Sequence, residues 1–112
     1  MSKRDPSRLH DMLDAARKAL SFVEGRSRPD LDSDEMLALA LVRLLKVMGE
    51  AARFVPDEIK TEHPEIQWRE IAATRNRLIH GYFSVDLDIV WSIVQNDLPP
   101  LVRQLKAIVA EE

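Results

Sequence analysis

Between Leu37 and Val55 the residues Leu37, Leu41, Leu44, Leu45, Met48, Ala51 and Val55 recur every three or four positions. That period lets a helix bury all of them on one stripe and fits no strand. Leu39 and Val42 extend apolarity to further sides. A helix that is apolar on more than one side sits centrally in a bundle or at a subunit interface. Asp32 followed by Glu35 has capping-box spacing, which starts this helix near Asp32 or Ser33. Pro56 ends it. Glu50 falls on a more polar side with Arg43 and Lys46 and reads as solvated.

The rest of the chain repeats the helical pattern. Asp5-Pro6 reads as a cap followed by Pro at the first helical position. Leu9, Met12, Leu13, Ala16, Leu20 and Val23 follow at helical spacing, and Gly25 is a stop. Arg26 to Leu31 reads as a loop, Pro56 to Glu62 as a short helical turn, and His63-Pro64 as a break. A helix from about Glu65 to Ile79 comes next. Phe83-Ser84-Val85 is a connection, and Asp86 caps a last helix carrying Ile89, Val90, Ile93 and Val94. Pro99-Pro100 should kink or split it before Leu101, Leu105, Ile108 and Val109 continue the stripe. No run alternates like a strand. The expectation is an all-α, up-down antiparallel bundle of four or five helices, with residues 1–112 as one domain.

Composition narrows the function. Apolar residues make up 46% and charged residues 31% of the chain, which fits a globular helical protein rather than a disordered one. With no Cys there are no thiolate metal sites or disulfides, compatible with a reducing cytoplasm. No apolar signal segment follows the charged start, and the Met36–Met48 run, broken by Arg43 and Lys46, is too short to span a bilayer. A net charge of −3 argues against a general nucleic-acid binder. Locally, residues 67–83 hold Arg69, Arg75 and Arg77 against Glu70, so a basic cleft on an acidic molecule is open.

The densest chemistry lies in Arg75-Asn76-Arg77-Leu78-Ile79-His80-Gly81-Tyr82. Wound as one helix, Arg75 shares a stripe with Trp68, Ile71, Ala72, Leu78 and Ile79. A charge there is costly unless it is paired or lines a polar cleft. Its planar fork of donors matches phosphate oxygens, and a structural ion pair is the alternative. His80 is the side chain that changes charge near neutral pH. It lies roughly 140° around an ideal helix from Arg75. Either the helix ends or distorts before Gly81, or two protomers complete one site. Asn76 would project toward His80, and Arg77 away from Arg75. Tyr82 would return to the Arg75 face if the helix persisted. His10 and His63 have no ligand-spaced companions, and no metal or cofactor is indicated.

Arg-x4-His-x-Tyr, with Asn after the Arg, resembles the signature of the HEPN superfamily and most of all its HepT branch. Trp68-Arg69-Glu70-Ile71 before it, Asp86-Leu87-Asp88-Ile89-Val90-Trp91 after it and Gly49-Glu50-Ala51-Ala52 upstream extend the likeness over most of the chain. The resemblance implies a HEPN-like helical fold and a homodimer with motifs facing across the interface. It implies a toxin that cleaves RNA without metal, with Arg75 and His80 catalytic and Asn76 supporting them. It further implies a minimal nucleotidyltransferase antitoxin that transfers AMP to Tyr82. The alternative is a non-catalytic helical partner or substrate-binding subunit of such a nucleotidyltransferase.

Overall fold

The structure, a computed structural model, describes residues 4–80 and 84–112, with His80 described through its backbone alone. Helix α1 spans Ser7–Phe22. Its entrance is held by the Asp5 carboxylate, which accepts the Ser7 N–H at 2.9 Å. The stripe read from the sequence turns inward: Leu9, Met12, Leu13, Ala16 and Val23 are buried. Gly25 adopts φ +72°, a left-handed conformation that any Cβ would strain. The expected loop then contains one helical turn, α2, at Asp30–Ser33.

The central helix, α3, spans Glu35–Arg53. Its cap is Asp34, not the expected Asp32: the Asp34 Oδ1 accepts the Leu37 N–H at 3.1 Å. Asp32 instead pairs with Arg28 at 3.1 Å, and Arg28 also reaches Asp88 at 2.8 Å. Those carboxylates raise the Arg28 pKa, the Asp88 hydrogen bond being the largest cause. Leu37, Leu41, Leu45, Met48 and Ala51 are buried, whereas Met36 (83%) and Leu39 (61%) remain exposed. Helix α1 packs along α3, and the C-terminal helix packs on α1.

A short helix, α4, occupies Asp57–Glu62 as expected. Its Glu58 and Glu62, together with Glu112, bind Arg4 and tie both ends of the chain to it.

The single helix expected over Glu65–Ile79 is instead two short helices, α5 (Trp68–Ala72) and α6 (Thr74–Leu78). Thr74 is the buried polar residue at the break, only 2% exposed. Its hydroxyl donates to the Ile71 carbonyl at 2.6 Å, and this local bond competes with the helical ladder. After Leu78 the chain becomes extended, with Ile79 at φ −88°, ψ 127°. Ile79–His80 (β1) pairs antiparallel with Ser84–Val85 (β2), Ile79 opposite Val85. The Asp86 N–H then donates to the Leu78 carbonyl at 2.8 Å, satisfying an acceptor at the helix end. Strand pairing of the β-branched Ile79 and Val85 therefore replaces the last helical turn and the expected connection.

Helix α7 spans Leu87–Ser92, capped by Asp86 through the N–H groups of Asp88 and Ile89. It runs into a π-helical turn at Ile93–Asp97 and then α8 at Leu98–Glu111. The two prolines distort this rod without splitting it. Pro99 and Pro100 lack the N–H groups that would close the preceding turn, and Leu98 reaches back five residues to the Ile93 carbonyl. The architecture is all-α apart from the two-residue strands. Three long rods (α1, α3 and α7 through α8) are joined by the broken α5–α6 rod, and Leu9, Leu41, Leu45, Met48, Leu78, Val90, Ile93 and Leu105 meet in one apolar core.

Candidate functional site

Gly49 sets how closely the motif approaches the central helix. A Cβ there would stand 2.9 Å from the Ile71 carbonyl oxygen and 3.3 Å from the Thr74 Cβ. With only hydrogen at that point, α3 touches the backbone of α5 at the break before α6, two residues from Arg75. The Trp68 indole adds a second anchor by donating to the His63 carbonyl at 2.9 Å.

Arg75 is therefore not embedded in an apolar face. The break at Ala73 puts Thr74 into the core and leaves Arg75 exposed. It opens onto a groove of about 730 Å³ between α1 and α3. Arg8 and Lys18 of α1, Arg43 and Lys46 of α3, and Arg75 of α6 line it, facing the carboxylates of Asp11 and Glu50. Both carboxylates have near neighbours: Asp11 pairs with Arg8 at 3.3 Å, Glu50 with Arg53 at 3.7 Å. Among the described residues, no ion pair engages Lys18, Arg43, Lys46 or Arg75. Several uncompensated cations around one concave surface favour a polyanion. Ala15, Leu44, Val47 and Ala72 add apolar surface to the groove.

The sequence-derived site residues fare differently. Asn76 is exposed on α6, one residue from Arg75. His80 leaves the helix on β1, so the angular separation calculated for a continuous helix does not apply to it or to Asn76. Tyr82 lies outside the described residues, as do Gly81 and Phe83. Arg77 faces elsewhere and pairs with Asp97 of the π turn at 3.5 Å. His10 is exposed, and His63 is half-buried with Glu65 3.3 Å from its Nδ1. Among the described residues no three His, Asp or Glu side chains converge as metal ligands.

Reading the chain alone missed Arg8 and Lys18, and treated Arg43, Lys46 and Glu50 as an ordinary solvated side. Their signal was present as charges on the polar faces of α1 and α3. They become one cationic groove only when those two helices lie side by side with Arg75 at their junction.

A family model described as HepT-like, ribonuclease HepT-like, matches residues 12–108. A Methanocaldococcus jannaschii protein provisionally named as an RNase is 31% identical over 109 residues, 96% of this chain and 100% of the relative. One from Caldanaerobacter subterraneus subsp. tengcongensis, likewise provisionally named an RNase, is 36% identical over 93% of each chain. A probable ribonuclease HepT of Thermococcus cleftensis is 38% identical over 81% of this chain and 86% of the relative. No solved structure matches significantly.

Proposed function

The chain belongs to the HepT-like ribonuclease family, and from that premise we propose that it is a metal-independent endoribonuclease, the toxin of a toxin–antitoxin pair. The observation that carries this reading is Arg75 opening onto a groove lined by Arg8, Lys18, Arg43 and Lys46. The groove holds the RNA backbone, and the Arg75 fork donates to the non-bridging oxygens of one phosphate. The ribose 2′-oxygen attacks that phosphorus while His80 takes its proton. The bond from phosphorus to the 5′-oxygen breaks, and a proton returns to that oxygen. The products are a 2′,3′-cyclic phosphate and a 5′-hydroxyl. Arg75 stabilises the charge that builds on the phosphate in the transition state. Asn76, beside Arg75, orients the imidazole or a substrate oxygen.

The active form is a homodimer with motifs facing across the interface. Exposed Ile79 (41%), next to His80, supports this, as do Met36 and Leu39 on α3. The antitoxin is a minimal nucleotidyltransferase that attaches AMP to the Tyr82 hydroxyl. Two residues from His80, an adenylate brings phosphate charge and bulk to the motif and excludes RNA.

The test is cleavage of single-stranded RNA in a chelator, with product ends read by mass spectrometry. The parent should leave cyclic phosphate ends and spare DNA of the same sequence. Arg75→Ala and His80→Ala should each abolish cleavage with the fold intact, and Arg75→Lys should lose most activity, since an ammonium keeps the charge without the fork. Sedimentation at micromolar concentration should give a dimer. Cleavage that survives both alanine substitutions, or that needs an added divalent cation, removes the mechanism. An intact dimer with no cleavage favours the non-catalytic partner of a nucleotidyltransferase.

A further inference from the structure

Phe54 is an exposed aromatic residue that neither the core nor the proposed chemistry uses. It caps the C-terminal end of α3, is 56% exposed, and has two guanidinia near its ring: Arg8 Cζ stands 5.9 Å and Arg53 Cζ 5.5 Å from the centroid. Arg8 also lines the groove that Arg75 opens onto. One arginine therefore joins the exposed ring to that cationic groove. Along α3, Phe54 follows Gly49, the contact point of the motif, by five residues, an axial rise of about 8 Å.

We propose that Phe54 is a nucleobase-stacking platform at one end of the groove, gripping an unpaired nucleotide beside the phosphate held at Arg75. This rests on the ribonuclease reading and adds a substrate class to it: single-stranded RNA, held through base and backbone together. Every base offers a π-face, so an exposed aromatic ring holds unpaired nucleotides with little regard to sequence, while cations track the phosphates. The neighbouring guanidinia suit both tasks. They are about half exposed, at 52% for Arg8 and 59% for Arg53. Their contacts with the ring and their solvent-exposed ion pairs to Asp11 and Glu50 are both weak enough for either to turn toward a phosphate as a base takes its place. Base-paired RNA cannot do this, because its bases are already stacked on each other. A protein partner is the less suitable occupant, since an apolar surface placed on Phe54 would bring no anions to Lys18, Arg43 and Lys46, which no ion pair engages among the described residues.

The experiment measures binding of a fluorescent single-stranded oligoadenylate. Its 2′-oxygens are methylated so that no nucleophile remains. The full-length protein is compared with Phe54→Ala, Phe54→Leu, Phe54→Trp and the double variant Arg43→Ala/Lys46→Ala, across a salt series. Phe54→Ala and Phe54→Leu should bind about 5- to 150-fold more weakly with an unchanged salt slope, and Phe54→Trp should bind at least as tightly as the parent. The double variant should instead flatten the salt slope by about 1.4. A blunt-ended RNA duplex of the same length should bind alike to parent and Phe54→Ala. Parental affinity in Phe54→Ala overturns the platform, as does a Phe54→Leu as good as Phe54→Trp. Dissociation of the Phe54→Ala oligomer in step with its loss of binding would assign the ring to a protein interface and overturns it also. Ring-dependent binding without cleavage of unmodified RNA would leave the platform standing and remove the ribonuclease. Cleavage with ring-independent binding would do the reverse.

Discussion

Replacing Gly49 by Ala tests the link between helix packing and the Arg75 groove. In an isolated helix interior the change stabilises by about 1 kcal/mol, because Ala loses less backbone entropy. Here the new Cβ meets the Ile71 carbonyl oxygen at 2.9 Å and the Thr74 Cβ at 3.3 Å. Ile71 presents backbone at that point, which cannot rotate aside, and Thr74 is pinned by its hydroxyl bond to the same carbonyl. Overpacking of this kind costs about 1–3 kcal/mol. Set against the helical gain, the net loss is between nothing and about 2 kcal/mol, a fall in melting temperature of at most about 8 °C for a domain of this length. Relief requires α5 and α6 to move about half an ångström from α3. Displacements of this size at a reacting centre reduce turnover by about tenfold. Gly25→Ala is the matched control. Nothing lies within 4 Å of its would-be Cβ, but φ +72° costs about 1–2 kcal/mol for a side chain. Calorimetry and RNA-cleavage rates on both variants should show comparable stability losses with activity lost only in Gly49→Ala. A Gly49→Ala protein that melts above the parent and cleaves at the parental rate would refute the close-approach argument.

Three further outcomes are expected. Asp34→Ala removes the acceptor for the Leu37 N–H and should destabilise by about 1 kcal/mol in denaturant titration, whereas Asp32→Ala should cost less because Asp32 caps nothing. The Ser7 backbone N–H holds the Asp5 carboxyl below its ordinary 3.8, so its contribution is present above that pH and is lost as acid protonates the folded-state group. Melting curves from pH 7 to pH 2 should therefore fall less steeply for Asp5→Asn than for the parent, and parallel curves would show that the bond is not maintained in solution. Tyr82→Phe should keep much of the ribonuclease activity but escape neutralisation by modification when co-expressed with the cognate nucleotidyltransferase. Intact mass should show added AMP on the parent alone, and an unmodified parent in a neutralised complex would mean that the antitoxin acts by binding.

Much of the fold was written in local chemistry. The stripe from Leu37 to Ala51 has a period that only a helix can bury, so its burial in α3 needed no knowledge of its neighbours. The same holds for Leu9 through Val23 in α1, and for the Asp86 cap of α7. The Arg75–His80 spacing likewise pointed to the HepT-like family before any geometry was known. Three features were decided by contacts between distant segments. The break at Ala73 depends on Thr74 packing into the core beside Gly49, and the periodicity of Trp68, Ile71 and Leu78 is equally compatible with an unbroken helix. The end of α6 depends on Ser84–Val85 returning to pair with Ile79–His80, a long-range competitor for the last turn that helical propensity does not encode. The groove is decided at the highest level. Arg8, Lys18, Arg43 and Lys46 are individually ordinary solvated charges. They form one cationic surface with Arg75 only because α1 and α3 bury their apolar stripes against each other, which brings the edges of their polar faces together across the groove.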